Sequence, residues 1–273
     1  MRLPRPRRRL LATLLVLPTF AILAGCGPTP THWSAPVSSP SASPSPVASA
    51  SPSPTGSPNP FDGKTPKFDP APPPVPISLA GGPTAPLLDH IPTTQKVAFL
   101  TIDDGWIKKP EAIALLKASG VPVSLFLLSP AAKENPAYFK ELVANGAVIE
   151  AHTINHLSMP TLGYDRQKQE ICGGADELTK LFGTRPTLFR PPFGDYNQNT
   201  LRAAHDCGMK AVLYWKQTVD KGKVRYQGEW GKMQPGDIVL MHFRDAYADD
   251  FTAALNAMKA NGLTPALLEN YIP

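Results

Sequence analysis

At 273 residues the chain has room for one large domain or two small ones. Its formal charge of +5 is a local effect: five of the 27 basic residues, Arg2, Arg5, Arg7, Arg8 and Arg9, lie at the extreme N-terminus, and the remainder balances 22 basic against 22 acidic groups. That neutral remainder argues against a nucleic-acid binder, whose affinity rests on concentrated Lys and Arg facing phosphate.

The basic head leads into an apolar run, Leu10 to Leu23, interrupted by Pro18 and closing on Leu23-Ala24-Gly25-Cys26. A charged n-region, an apolar h-region and small residues before a cut mark an export signal. The run is short for a spanning helix, which needs about 20 apolar residues. Leu-Ala-Gly-Cys resembles the bacterial lipobox, which implies a lipid on Cys26, a mature N-terminus there, and an exported chain held on the cell membrane facing the wall. A plain signal or anchor with an incidental Cys is the other reading. Arg7-Arg8 with Leu10 and Leu11 also loosely resembles a twin-arginine signal.

From Gly27 to Phe61 there is no Asp, Glu, Lys or Arg, and Pro, Ser and Ala dominate. Such a segment cannot bury enough apolar surface to offset the entropy of ordering. In polyproline II form it reaches at most about 100 Å, a tether between membrane and wall. The expected division is a signal over 1–26, a disordered linker over 27–82 and one catalytic domain over 83–273. In an exported protein Cys172 and Cys207 either pair as a disulfide or stay as two buried thiols.

Within the domain, strand-like runs alternate with amphipathic ones. Val97–Ile102 reads as a strand and Lys109–Ser119 as a helix. Val121–Leu128 is a strand and Ala131–Ala144 a helix. Ala147–Ala151 is a strand, and Asp165–Phe182 a helix. Thr187–Arg190 is a strand before the helix Thr200–Cys207. Lys210–Trp215, running out toward Asp220, and Ile238–Met241 are strands, and Asp250–Asn261 is the last helix. This alternation predicts parallel strands with crossover helices. Six strands and a candidate seventh fit a short, distorted (β/α) barrel, with an open doubly wound sheet as the alternative.

In a parallel barrel the active site lies at the carboxyl ends of the strands. Those ends carry Asp103-Asp104-Gly105, His152 with His156 four residues on, Arg190-Pro191-Pro192-Phe193-Gly194, and His242. Two His and one carboxylate leave open positions on a divalent metal, as catalytic zinc sites require. Adjacent Asp side chains on a strand diverge, so Asp103 and Asp104 would divide the work. His32, His90 and His205 receive no role.

Thr101-Ile102-Asp103-Asp104-Gly105, His152-Thr153-Ile154-Asn155-His156, Arg190-Pro191-Pro192-Phe193-Gly194 and Leu240-Met241-His242 resemble, in order, the motifs of the polysaccharide deacetylase family, the NodB-homology carbohydrate esterases. The resemblance runs from about Val97 to His242. It implies a barrel of NodB-homology type with Asp104, His152 and His156 holding one divalent metal, Zn²⁺ or else Co²⁺. It makes Asp103 the general base, Arg190 its ion-pair partner, His242 the general acid and the Phe193 N–H an oxyanion donor. The implied reaction is hydrolysis of the acetamide of N-acetylglucosamine units in a cell-wall or related polysaccharide, by a monomer.

Two departures stand out. Trp106 replaces the proline usual after Asp-Asp-Gly and is a candidate surface for a sugar ring, or a plug over the barrel mouth. The motif that ends in Asp-Trp is degraded to Val219-Asp220-Lys221. Asp220 fills the place of the acid's carboxylate partner only with a one-residue shift, Asp245 being the alternative, and Trp106 or Trp215 would have to wall the acetyl pocket. An acetylxylan-type O-acetyl esterase and a wall-glycan binding module without catalysis are the competing readings.

Overall fold

The computed structural model describes residues 58–228 and 231–273. The signal over 1–26, Cys26 and the first part of the linker lie outside them. From residue 58 on, the chain is folded against the domain, which corrects the linker boundary. Asn59 Nδ2 donates to Ala114 O at 2.7 Å, Phe61 and Phe68 pack on the core, and Ile77 N donates to Tyr271 O at 2.9 Å. Proline dominates this strap, but Phe61, Phe68, Ile77 and Leu79 pack on the core.

Ten strands form one curled sheet: β1 (Leu87–Leu88), β2 (Val97–Asp104), β3 (Val123–Leu127), β4 (Ala147–Ala151), β5 (Leu188–Phe189), β6 (Ala211–Leu213), β7 (Gln217–Asp220), β8 (Lys223–Tyr226), β9 (Ile238–His242) and β10 (Thr264–Pro265). Their order is β1-β6-β5-β4-β3-β2-β9-β7-β8, with β10 beside β2. All pairs are parallel except the β7–β8 hairpin. Six helices connect them: α1 (Pro110–Ser119), α2 (Ser129–Glu134), α3 (Pro136–Ala144), α4 (Tyr164–Phe182), α5 (Gln198–Asp206) and α6 (Tyr247–Ala260). The fold is the expected distorted (β/α) barrel.

Two expectations change in detail. The helix over Ala131–Ala144 is two helices, because Pro136 disfavours helical backbone at Asn135 and the Asn135 side chain caps α3 at Tyr138 N. The strand toward Asp220 ends at Leu213, and Gln217–Asp220 is a separate strand beside β9.

Strand residues are buried on both faces, as parallel sheets demand. Along β2, Val97 and Phe99 point into the barrel with Phe126, Leu188, Leu213 and Ile238. Ala98, Leu100 and Ile102 point out against Leu115, Phe139, Phe251 and Leu255 of the helices. After β10 the chain turns back, and Leu268, Tyr271 and Ile272 plug the amino end of the barrel, with Tyr271 edge-on to Phe99 at 5.0 Å.

No ladder joins β6 to β7 among the described residues; a short segment bridges the gap. Tyr214 N donates to Leu88 O at 2.7 Å and Lys216 N to Ile238 O at 2.9 Å. Below it, His90 bridges Asp237, and Ile91 N donates to Gly236 O at 2.8 Å. Only glycine serves at 236: φ is +86°, and a Cβ would lie 1.9 Å from Ile91 O.

Candidate active site

The two carboxylates that should diverge instead converge. Asp103 follows the pleat into the barrel, where it is almost fully buried. Asp104 would point outward, but its φ of +78° breaks the alternation and turns its carboxylate over the barrel mouth. The next residue, Gly105, has no room for a Cβ, which would meet Phe139 at 3.0 Å and Leu127 at 3.1 Å.

Among the described residues Asp104 is one of five non-glycine residues with positive φ, and Thr153, His156 and Phe193 are three others in the same site. Each such backbone costs on the order of 1–3 kcal/mol and persists only where its surroundings hold it. The holder of the His152–His156 loop is Glu170, buried on α4. Its Oε2 accepts from Ile154 N at 3.1 Å and Asn155 N at 2.8 Å, and its Oε1 accepts from Asn155 Nδ2 at 2.7 Å. Gly174 lets α4 approach, since a Cβ there would lie 3.1 Å from the Thr153 backbone.

That loop aims two imidazoles at Asp104. His152 Nδ1 donates to Arg190 O at 2.7 Å, which leaves the Nε2 lone pair facing Asp104 Oδ1 at 3.6 Å. His156 Nε2 lies 3.4 Å from the same oxygen. The ligand atoms of all three lie within 4.8 Å of one another. Asp104 Oδ1 is buried without a hydrogen-bond partner. A tetrahedral ion about 2.0–2.1 Å from each donor would set donors roughly 3.3 Å apart, so the group fits a divalent cation. Burial lowers the pKa of His152 to about 4, so the ring is neutral and ready to ligate. Burial raises that of Asp104, with the Asp103 charge adding to it; a cation among the three would offset that cost.

Arg190, fully buried at the end of β5, gives Nη1 to Asp103 Oδ1 and to Thr101 Oγ1, each at 2.8 Å, and Nη2 to Tyr214 O at 3.1 Å. Asp103 Oδ2 is left facing His152 Nε2 at 3.9 Å. His242 is paired in register with Asp103 at the end of β9. Burial lowers its pKa to about 4, and Asp103 is the charge that opposes the fall.

Asp103, Asp104, His152, His156 and His242 line one cavity of about 330 Å³ with Phe193, Trp215, Thr218, Leu240 and Arg244, and Arg190 is buried behind Asp103. Phe193 packs its ring against His156 at 4.6 Å. Trp215, carried by the bridging segment, supplies the wall that the degraded motif lacks, and its buried Nε1 has no acceptor. Trp106 does not line the cavity and is 53 % exposed.

Asp220 is placed differently from the expectation. Its Oδ1 accepts from Arg244 Nη1 at 3.2 Å, so its ion pair is with Arg244 and not with His242. Asp245, the alternative, lies in the loop beyond β9 and pairs with Lys109 at 2.9 Å. Of the two tryptophans the sequence offers as a pocket wall, Trp215 lines the cavity, whereas Glu170 and Arg244 are not legible as site residues in the sequence. Glu170 alone left a trace: a carboxylate on the buried stripe of α4 with Gln167, Ile171 and Gly174.

The cysteines are joined: Cys172 of α4 and Cys207 after α5 form a disulfide with Cα atoms 5.1 Å apart. That settles the alternative between a bond and two free thiols.

Residues 90–212 match the family model described as Polysaccharide deacetylase. An uncharacterized protein of Streptomyces coelicolor is 38 % identical over 194 residues, 68 % of this chain and 77 % of that one. A peptidoglycan-N-acetylglucosamine deacetylase of Bacillus cereus is 30 % identical over 149 residues, 52 % of this chain and 54 % of its own. A Bacillus anthracis protein described as a CE4 family pseudoenzyme superposes with a TM-score of 0.61 at 21 % identity, over 72 % of this chain and 70 % of its own. The last likeness concerns the fold alone and shows that this fold also exists without activity, so activity must be argued from the residues. The ordered motifs, the barrel and these relatives together place the chain in the polysaccharide deacetylase family.

Proposed function

We propose that the protein hydrolyses the acetamide of N-acetylglucosamine units in a cell-wall or related polysaccharide, releasing acetate. The observation that carries this reading is the meeting, in one cavity, of a three-donor cation site, Asp103 held by the buried Arg190 behind it, and His242. The peptidoglycan deacetylase among its relatives supports the choice of glycan.

Asp104, His152 and His156 would hold one divalent metal, Zn²⁺ or Co²⁺, which when bound lowers the pKa of water toward 7 and polarises a carbonyl. Asp103 takes the proton of the attacking water at Oδ2, since Oδ1 is engaged by Arg190. The Phe193 N–H faces the carbonyl oxygen as charge develops on it. His242 delivers a proton to the sugar nitrogen as the C–N bond breaks, so acetate and a free amine result. Trp215 and Leu240 enclose the acetyl methyl, and the exposed Trp106, next to the Asp-Asp-Gly motif, offers a ring face to the glycan.

The same reading places the protein outside the cytoplasm, anchored through lipid on Cys26 at the cell membrane, as a monomer. The Cys172–Cys207 bond supports an oxidising compartment. The experiment is acetate release from N-acetylglucosamine oligomers and from acetylxylan, with and without chelator. Chelator-sensitive release from the oligomers is expected. Release from acetylxylan alone makes the protein an O-acetyl esterase, and release from neither makes it a binding module.

A further inference from the structure

Arg244 stands two residues beyond His242, lines the same cavity and belongs to none of the motifs discussed above. A guanidinium carries five N–H donors. Here its ion pair is with Asp220 alone among the described residues, through Nη1 at 3.2 Å, and the side chain remains 48 % exposed. The pair also fixes where the fork lies, because Asp220 is on β7, the strand beside β9.

A positive charge in this cavity carries a cost. It repels a divalent cation at Asp104, and it disfavours the imidazolium of His242, the form needed for proton donation. Hydrolysis of a neutral acetamide on a neutral sugar gives nothing back for that cost. A substrate that brings its own negative charge does, and the planar fork of an arginine suits a carboxylate, which it can bind through two parallel hydrogen bonds. Asp220 neutralises part of the charge through Nη1, while the side chain stays 48 % exposed and lines the cavity.

We propose that Arg244, oriented by Asp220, is a specificity-determining residue that binds a carboxylate carried by the N-acetylated sugar or by its neighbour in the chain. This rests on the deacetylase reading for the site and goes further in naming an acidic glycan as the preferred substrate. Two sources share this chemistry: an ether-linked lactate on the ring being deacetylated, and a uronate on the adjoining ring.

The test compares three probes: neutral N-acetylglucosamine oligomers, N-acetylmuramic-acid-containing glycan strands, and oligomers alternating N-acetylglucosamine with glucuronate. Binding is measured with Asp103→Asn, where turnover is silenced, and with the double variant adding Arg244→Ala. One acidic probe is expected to bind more tightly than the neutral one, and Arg244→Ala should cut that preference at least tenfold. Which acidic probe it is identifies the source. Arg244→Lys should recover part of the preference, since it keeps the charge and loses the fork. Equal affinity for all three probes, or an equal loss on all three with Arg244→Ala, would overturn the proposal. Acetate release by the parent protein is read separately: its failure on every probe counts against the deacetylase reading, whereas the binding preference still decides the role of Arg244.

Discussion

Arg190 Nη1 donates to Asp103 Oδ1 at 2.8 Å with both side chains out of solvent, so one carboxylate oxygen is fixed and the other is left for chemistry. The bond crosses the barrel interior from β5 to β2. An ionised carboxylate is tolerated at such depth only because a guanidinium and its hydrogen bonds compensate it. Asp103→Asn is therefore expected to retain metal at Asp104, His152 and His156 while losing activity by more than the roughly 10²–10⁴ typical of a general base, since it also strips Arg190 of its counter-charge. Metal content and acetate release on one preparation check this. Loss of metal would mean that Asp103 is a ligand.

His242 carries the pH dependence. Burial brings its pKa to about 4, and the proton donor is the protonated ring. Above that value the protonated fraction falls about tenfold per pH unit, so kcat is expected to decline as pH rises through neutrality. Asp220 is engaged by Arg244, so Asp220→Asn should move this limb less than Arg244→Ala. Removing Arg244 takes away a cation that depresses the ring's pKa, and the limb should shift to higher pH. A profile that rises through neutral pH would contradict the acid role.

Stability should respond to a group far from the chemistry. Glu269, in the segment that plugs the barrel, accepts from Ser124 Oγ at 2.9 Å, and burial raises its pKa to about 7. The folded state thus keeps a proton that the unfolded chain releases near pH 4.5. The stability this confers is present below that pH and lost as pH rises through about 7, on the order of 3 kcal/mol. Glu269→Gln should flatten the fall in Tm between pH 5 and 8. An unchanged slope would place the ionisation elsewhere.

The Cys172–Cys207 bond closes a loop with a sequence separation of 35 residues. Cys207→Ser should lower unfolding free energy by about 2–4 kcal/mol in the chain-entropy account. Parent protein denatured with reductant should match the variant. If reductant changes nothing, the thiols are free in the protein.

What the sequence reveals and what it hides divides along physical lines. Val97–Ile102 and Ile238–Met241 are legible because a strand buried on both faces must be an apolar run. Asp103, His152, Arg190 and His242 are legible because barrel chemistry sits where such runs stop. The β7–β8 hairpin is not, since Gln217–Asp220 and Lys223–Tyr226 are too polar to stand out, and only their pairing with each other and with β9 makes them strands. Nor is the positive-φ turn at Asp104, a conformation uncommon outside glycine, for which aspartate is only somewhat more tolerant and which the packed site enforces. Arg244 is a single residue with no spacing pattern, and only the folded cavity brings it beside the motif residues and chooses Trp215 over Trp106 as a wall. Proline counts misread residues 58–82, where Phe61, Phe68 and Ile77 outweigh composition.

The most direct test of the account is His152→Ala, read for bound metal and for acetate at once. His152 contributes a buried Nε2 held toward Asp104 by the Nδ1 bond to Arg190 O, and alanine removes that donor with little else. The parent should hold one divalent metal per chain and release acetate from N-acetylglucosamine oligomers only when it does. The variant should retain no metal and show no release above background while still folding cooperatively. A variant that keeps one metal per chain and deacetylates at the parent's rate would contradict the site.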